Sequence, residues 1–293
     1  MVNFPAKVLE HPDFSRQFNC GDSLITAFYC PLEARLMSNR FSDLWSQHNY
    51  IFYVMDGKKT WHTAQGSYEL KKGDCVFVRK GANIVEQFFD TGFCLLLFFI
   101  PDEFLCETLQ SKTKPLSSPG RKFSPVMLLK SNETLNHFFV SMFSYFRDTK
   151  EPDPSLLELK FKELILTIAD TPGNDELLSY FCSLLREPRS VSLQRIMEDN
   201  YSYNLKLEQY AELSNRSLSA FKRDFQKQFN STPGKWLLEK RLNHAKHLLI
   251  SQDKNVSEAA FESGFENPSH FSRSFKERFG IPPTAVKQAQ TSA

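Results

Sequence analysis

The spacing of apolar residues divides the chain into stretches of different structure. Between residues 20 and 110, short runs rich in Val, Ile, Phe and Tyr alternate with turn signals such as Asp56-Gly57, Gln65-Gly66 and Gly73-Asp74. Runs of this length and composition are typical of β-strands joined by tight turns. The longest apolar run, FCLLLFFI at 93–100, predicts a buried strand. We therefore expect a small sandwich or barrel of strands in the first part of the chain.

The apolar period becomes helical after a polar, Pro- and Ser-rich loop at 111–125. One helix is predicted over 131–147, where apolar residues recur three and four positions apart. A second is predicted from Ser155, which with Glu158 would form a capping box. The turn TPGND at 171–175 ends this second helix.

The last third of the chain contains a repeated segment. FKRDFQKQFNSTP, starting at Phe221, returns fifty residues later as FSRSFKERFGIPP, starting at Phe271. In each copy three Phe residues are spaced i, i+4 and i+8, so they lie along one face of a helix that must be buried. Asn230 and Gly280 follow these helices as left-handed stop signals, and Asn267 is a good N-cap for the second.

A short predicted helix precedes each copy, at 205–215 and 255–265. Tight turns around Ser214-Asn215 and Gly264 separate each short helix from the Phe-bearing helix that follows. This order is a helix-turn-helix, present twice. The intervening WLLEKRLNHAKHLLI predicts a connecting helix of about 15 residues, roughly 22 Å long. Such a rod can hold two recognition helices in successive major-groove turns of DNA, about 34 Å apart.

Together these patterns predict an α+β protein in three parts. Residues 1–170 form a sheet-rich domain with helices, residues 171–190 a linker, and residues 191–293 an all-α domain of two helix-turn-helix units joined by a helix. Residues 191–293 carry 15 Lys and Arg against 11 Asp and Glu, and the rest of the chain 21 against 23. This charge difference is compatible with a polyanion partner for the last part.

Composition excludes several other classes of protein. The chain has no apolar run approaching the roughly 20 residues of a membrane helix, and its N-terminus has no signal-peptide pattern, so we expect a cytoplasmic protein without membrane contact. The six Cys contain no C-x-x-C pair and are expected to be buried thiols. His244 and His247 lie i, i+3, but no third ligand is evident, so neither a metal site nor a cofactor is predicted.

The run GFENPSHFSRSFKERFGIPP at 264–283 closely resembles the C-terminal signature of the AraC/XylS family of bacterial transcription regulators. The resemblance covers about a third of the chain strongly. It implies a sequence-specific DNA-binding regulator, an activator, that contacts RNA polymerase and performs no catalysis. The alternative is a nonspecific DNA binder, which the small net charge of +2 disfavours.

The exposed positions of the two repeats supply the candidate DNA contacts. The resemblance implies that Arg223 and Arg273, which occupy equivalent positions, face the groove; the alternative is an exposed Arg without a contact. Base-facing positions carry sequence information and phosphate contacts carry affinity. The base-facing candidates are Ser219, Ala220, Lys222, Arg223, Ser269, His270, Ser272 and Arg273, and the phosphate candidates are Arg216, Lys227, Lys235 and Lys276.

The same resemblance implies a cupin-like β-barrel at the N-terminus that senses a signal, with adjacent helices that form a homodimer. Metal-binding cupins use an H-x-H pair and a later His, whereas this chain has His62 alone and Val85 near the later position. A cupin-type enzyme is therefore disfavoured.

Two kinds of signal remain open. The first is a small-molecule effector in an aromatic-lined barrel, although such side chains can simply fill a small barrel. The second is a regulatory protein, because GDCVFVRKG at 73–81 is similar to a stretch in regulators of type III secretion that are controlled in that way. The candidate effector-binding residues are Tyr53, Trp61, Tyr68, Phe77 and Phe88.

Overall fold

The computed structural model describes residues 2–5, 15–30, 41–63, 66–87, 92–147, 151–186, 193–251 and 254–286. The chain divides into two compact units, which we call the N-terminal unit (Met1–Ser190) and the C-terminal unit (Val191–Ala293). The N-terminal unit combines strands and helices and the C-terminal unit is helical, so the expected α+β class is confirmed.

The strands of the N-terminal unit form two sheets. One has five strands in the order β1-β4-β9-β6-β7, and the other has six in the order β11-β8-β5-β10-β3-β2. All described pairings are antiparallel except β1 with β4. Their bounds are β1 Val2–Asn3, β2 Ser15–Cys20, β3 Ser23–Cys30, β4 Phe41–Ser46, β5 Asn49–Asp56, β6 Lys58–Thr63, β7 Gly66–Lys71, β8 Cys75–Val78, β9 Gly81–Gln87, β10 Phe93–Ile100 and β11 Val126–Leu129.

A first apolar core lies between the two sheets. It contains Phe52 and Val54 from the six-stranded sheet and Trp61 and Val85 from the five-stranded sheet. Over the described residues the strands form two open sheets, and no closed barrel is found among them. The sheet-rich character predicted for this part is thus confirmed in its coarser form.

A second apolar core covers the opposite face of the six-stranded sheet. Because successive side chains of a strand point to opposite faces, Ile51 and Tyr53 of β5 pack on this second core. The continuous apolar run of β10 follows from the same arrangement, since both of its faces are buried. Four helices complete the core: α1 Asp102–Gln110, α2 Glu133–Arg147, α3 Pro154–Asp170 and α4 Asp175–Arg186.

A buried polar cluster ties α1 and α4 to the sheet. Asp102 accepts a hydrogen bond from Asn49 Nδ2 at 2.6 Å and pairs with Lys80 Nζ at 2.6 Å. The Tyr180 hydroxyl donates to Asn49 Oδ1 at 2.8 Å. The region 171–190, predicted as a linker, therefore contributes α4 to the N-terminal unit, where Leu177, Tyr180 and Phe181 belong to the second core.

The C-terminal unit contains six helices within the described residues. They are α5 Leu193–Asn200, α6 Leu207–Leu213, α7 Leu218–Phe229, α8 Pro233–Ser251, α9 Val256–Glu262 and α10 Pro268–Phe279. The pairs α6–α7 and α9–α10 are the first and second helix-turn-helix units, and α8 is the connecting helix. None of the helices in the described parts of the chain combines the length and apolarity that crossing a bilayer requires.

Candidate nucleic-acid interface

The two helix-turn-helix turns repeat the same backbone geometry. In the first unit Asn215 adopts φ 54° and Arg216 N donates to Ala211 O at 3.0 Å. In the second, Gly264 adopts φ 86° and Phe265 N donates to Ala260 O at 3.0 Å. Only glycine and a few polar residues tolerate this left-handed conformation, so the predicted turn positions are confirmed.

The helices that follow the turns are capped as the sequence predicts. Asn267 Oδ1 accepts from the backbone N–H of Ser269 at 2.9 Å and of His270 at 3.1 Å, and thereby caps α10. At the C-terminal ends, Asn230 and Gly280 are left-handed with φ 48° and 77°. The same local devices therefore set the length of α7 and α10, which each span 12 residues.

The first two Phe residues of each repeat are core residues, whereas the third, Phe229 or Phe279, is only partly buried. Phe221, Phe225, Phe271 and Phe275 are completely buried. Their rings contact one another along each helix, with centroids 5.9 Å apart in α7 and 5.4 Å apart in α10. This burial forces the opposite side of each helix outward, and that side carries the candidate DNA contacts.

The predicted base-facing residues lie on these outward sides with different exposure. Ala220 and Ser272 are half-buried. The side chain of Arg223 is 76% exposed. The remaining candidates are exposed: Ser219, Lys222, Ser269, His270 and Arg273.

Three of the predicted phosphate-binding cations are exposed and one is held inside the unit. Lys227, Lys235 and Lys276 are exposed. The side chain of Arg216 is only 20% exposed; its Nη1 donates to Ser214 O at 2.8 Å and its Nε to Asp224 Oδ2 at 3.3 Å. A contact from Arg216 to DNA would require this side chain to rearrange.

Asp224 was not predicted from the sequence, and it binds both Arg residues of the first unit. Its Oδ1 accepts from Arg223 Nη2 at 3.1 Å while its Oδ2 accepts from Arg216. The hydrogen bond from Arg223 lowers the pKa of Asp224, and Arg216 acts in the same direction. The equivalent residue fifty positions on is Ser274, which is buried and has no charge. That difference between the two copies was the available sequence signal.

His244 and His247 do not form part of a metal-ligating cluster within the described residues. His244 packs edge-on against Tyr201, with ring centroids 5.4 Å apart. Burial lowers the pKa of His244, and neighbouring His247 adds to that effect.

The predicted effector-binding aromatics are divided between two cores. Trp61 belongs to the core between the sheets and Tyr68 packs against it. Phe77 belongs to the core between sheet and helices, and Tyr53 stacks on Phe139 of α2 at 4.4 Å. The alternation of strand side chains therefore separates residues that the sequence grouped together. Phe88 lies outside the described residues.

Two family models match the chain. Residues 49–180 match the ExsA N-terminal regulatory domain, and residues 210–289 match a helix-turn-helix domain.

Curated relatives extend the similarity over most of the chain. The thermoregulatory protein LcrF of Yersinia pestis is 27% identical over 240 residues, which are 81% of this chain and 88% of LcrF. The HTH-type transcriptional regulator ExsA of Pseudomonas aeruginosa is 27% identical over 253 residues, 82% of this chain and 86% of ExsA. The HTH-type transcriptional activator RhaS of Klebsiella pneumoniae is 24% identical over 290 residues, 97% of this chain and 98% of RhaS.

Proposed function

Because the chain belongs to the AraC/XylS family of DNA-binding transcription regulators, we propose that one subunit reads two successive major-groove turns at a promoter. The observation that carries this proposal is the repeat of turn geometry, caps and buried Phe stripe in α6–α7 and α9–α10. The connecting helix α8 has 19 residues, about 28 Å at the usual helical rise. This length suits the spacing of about 34 Å between successive grooves on one face of DNA.

The residue roles follow from exposure and charge. We assign base-edge contacts to Arg223 in the first unit and Arg273 in the second, with the smaller exposed residues beside them completing the readout. Lys227, Lys235 and Lys276 bind phosphates, and their exposure supports this role. Arg216 joins them only after leaving Asp224.

The N-terminal unit is the regulatory part in this proposal, a cupin-like domain without catalytic chemistry. Of the two signals left open by the sequence, the division of the aromatic candidates between two cores favours a protein partner over a small molecule in one aromatic pocket. The match of residues 49–180 to a regulatory-domain model supports the same role. Heat released on titration of metabolites into the full chain would favour the small molecule; capture of a partner from native lysate without such heat would favour the protein.

We further propose that α2 and α3 form a homodimer interface. Val140 on α2 and Leu159 on α3 are 63% and 62% exposed, although both are apolar. The double variant Val140→Asp/Leu159→Asp should sediment as a monomer where the unaltered chain sediments as a dimer. Leu128→Asp is the matched control, because Leu128 is 59% exposed but lies on β11. A dimer in all three proteins would contradict the assignment.

As a promoter-bound activator, the protein would act by contacting RNA polymerase, and it would work in the cytoplasm, where the chromosome is.

The test of the central proposal is selection of duplexes by the full chain from a random pool, followed by footprinting. Two protected half-sites about 10 base pairs apart are expected for a bipartite reader. One protected half-site, or no sequence preference, would refute it.

A further inference from the structure

The segment between α5 and α6 contacts both the connecting helix and the second helix-turn-helix. Arg241, in the middle of α8, donates from Nε to Tyr201 O at 2.6 Å and from Nη2 to Tyr203 O at 2.7 Å. Both carbonyls belong to residues 201–206, which lead directly into the first helix-turn-helix. One guanidinium therefore fixes the backbone that precedes the first unit to the rod that carries the second.

The turn of the second unit packs on the same segment. A Cβ atom added to Gly264 would lie 2.7 Å from Ser202 O and 3.0 Å from Arg241 Nε. Asn204 Nδ2 donates a hydrogen bond to Glu266 Oε1, which joins the leading segment to the second turn a second time. Gly264 thus serves both the left-handed turn and this close approach.

Apolar packing does not fill the space beside these contacts. A groove of about 660 Å³ is bordered by residues 204–208, where the leading segment enters the first helix-turn-helix, by α8, and by residues 264–270 of the second helix-turn-helix. The hydrogen bonds of Arg241 and Asn204 lie beside this groove. We call the place where they join the leading segment to α8 and to the second helix-turn-helix the junction. These hydrogen bonds therefore connect the backbone that precedes α7 to the helix and the turn that precede α10.

We propose that Arg241 is a specificity-determining positioning residue that sets the separation of the two DNA half-sites. It contacts no base in this scheme; it holds the two recognition helices at one spacing. A guanidinium can bridge two carbonyls in fixed directions, whereas an ammonium or amide cannot reproduce both bonds. The inference rests on the proposed bipartite reading.

The test uses the full chain and duplexes that it selects from a random pool. Affinity is measured for the selected duplex, for duplexes with one or two base pairs inserted between the half-sites, and for each half-site alone. We expect the unaltered chain to lose about tenfold or more on insertion, since half-site spacing is fixed by geometry. Arg241→Gln should lose less than about threefold on insertion and keep half-site affinity within about twofold.

Lys240→Gln is the matched control, because it removes one positive charge from the neighbouring position of α8 and leaves the junction intact. It should keep the spacing preference. If Arg241→Gln proves unstable by circular dichroism, Asn204→Ala decides, because the exposed Asn204 can be shortened without opening a core and should relax the spacing preference in the same direction.

The outcomes separate the inference from the proposed function. An unaltered chain that protects only one half-site overturns both. An unaltered chain with two half-sites, together with folded Arg241→Gln or Asn204→Ala that retains the full penalty for insertion, overturns the role of the junction alone.

Discussion

At the scale of single residues, Arg223 and Arg273 are the side chains on which sequence readout should depend most. They hold equivalent positions on exposed faces opposite the buried Phe stripes. Replacing either by Ala should cost about 1–3 kcal/mol of specific binding if each makes a bidentate contact to a guanine. Competition binding against selected and scrambled duplexes measures this loss. Lys227→Ala is the control and should weaken both duplexes equally; equal weakening by an Arg variant would reassign that Arg to phosphate.

Asp224 makes the first recognition helix different from the second. Asp224→Ser copies the residue of the second unit and should free Arg216 and Arg223 from their ion pairs. Because released cations become available to phosphates, we expect tighter nonspecific binding and a salt dependence steeper by about one phosphate contact. Binding to a scrambled duplex over a range of salt concentrations measures the slope.

Asp199→Ser is the matched control for this change, since it removes one carboxylate that pairs with Arg195 on α5. The same change of slope in both variants would show a general charge effect and not the release of Arg216 and Arg223.

At the scale of elements, two glycines of the C-terminal unit should respond in opposite ways to replacement by alanine. Gly280 has a left-handed backbone, and Gly234 lies in a helix. Gly280→Ala places a Cβ at φ 77° and should destabilise the unit by about 1–2 kcal/mol. Gly234→Ala lies in α8, where a Cβ meets no atom within 4 Å, and should stabilise it by about 0.4–1 kcal/mol. Thermal unfolding followed by circular dichroism compares the two. Equal shifts would contradict the assigned backbone roles.

The elements that the sequence predicted well are those with several agreeing signals. The helix-turn-helix units combine a Phe period, caps and left-handed stops, and the structure has each of these. The start of helix α3 was predicted too late along the chain, because Asp153 and not Ser155 is its N-cap. Helix α1 was missed, because it has only three buried apolar residues, Leu105, Cys106 and Leu109, and follows directly after the apolar strand β10.

The parts of the site that the sequence could not predict depend on contacts between distant residues. Arg241 looks like an ordinary surface cation of α8, and only the fold places it beside the carbonyls of Tyr201 and Tyr203. The grouping of Tyr53 and Phe77 with Trp61 failed for a related reason, since which face of a sheet meets the helices is a tertiary property.

At the scale of the whole molecule, the N-terminal unit and the C-terminal unit each contain a His residue whose protonation in acid should lower the free energy of unfolding. Burial lowers the pKa of His48 in the N-terminal unit, with the Lys80 charge acting in the same direction, and burial lowers the pKa of His244 in the C-terminal unit. The unfolded chain takes up these protons near pH 6.5, and the folded chain only at lower pH. The free energy of unfolding should therefore fall as the pH drops below about 6.5.

His244→Gln isolates one of these contributions. Urea midpoints at about pH 7.5 and pH 5.5 should differ less in this variant than in the unaltered chain, because Gln takes up no proton. His270→Gln is the control, since His270 is exposed in the same unit and does not contribute to the lowered pKa of His244. An unchanged difference between the midpoints in His244→Gln would contradict the prediction.

The connecting helix α8 packs against both helix-turn-helix units. Its beginning packs through Trp236 on Phe225 and Phe229, while Leu242, Ala245 and Leu249 sit in the core of Phe271 and Phe275. Neither helix-turn-helix unit can therefore unfold without removing part of the apolar packing that α8 shares with the other. Backbone amide protons along α8 should then exchange with solvent at one common, slow rate. A substitution that unfolds either α7 or α10 should therefore abolish DNA binding by both helix-turn-helix units.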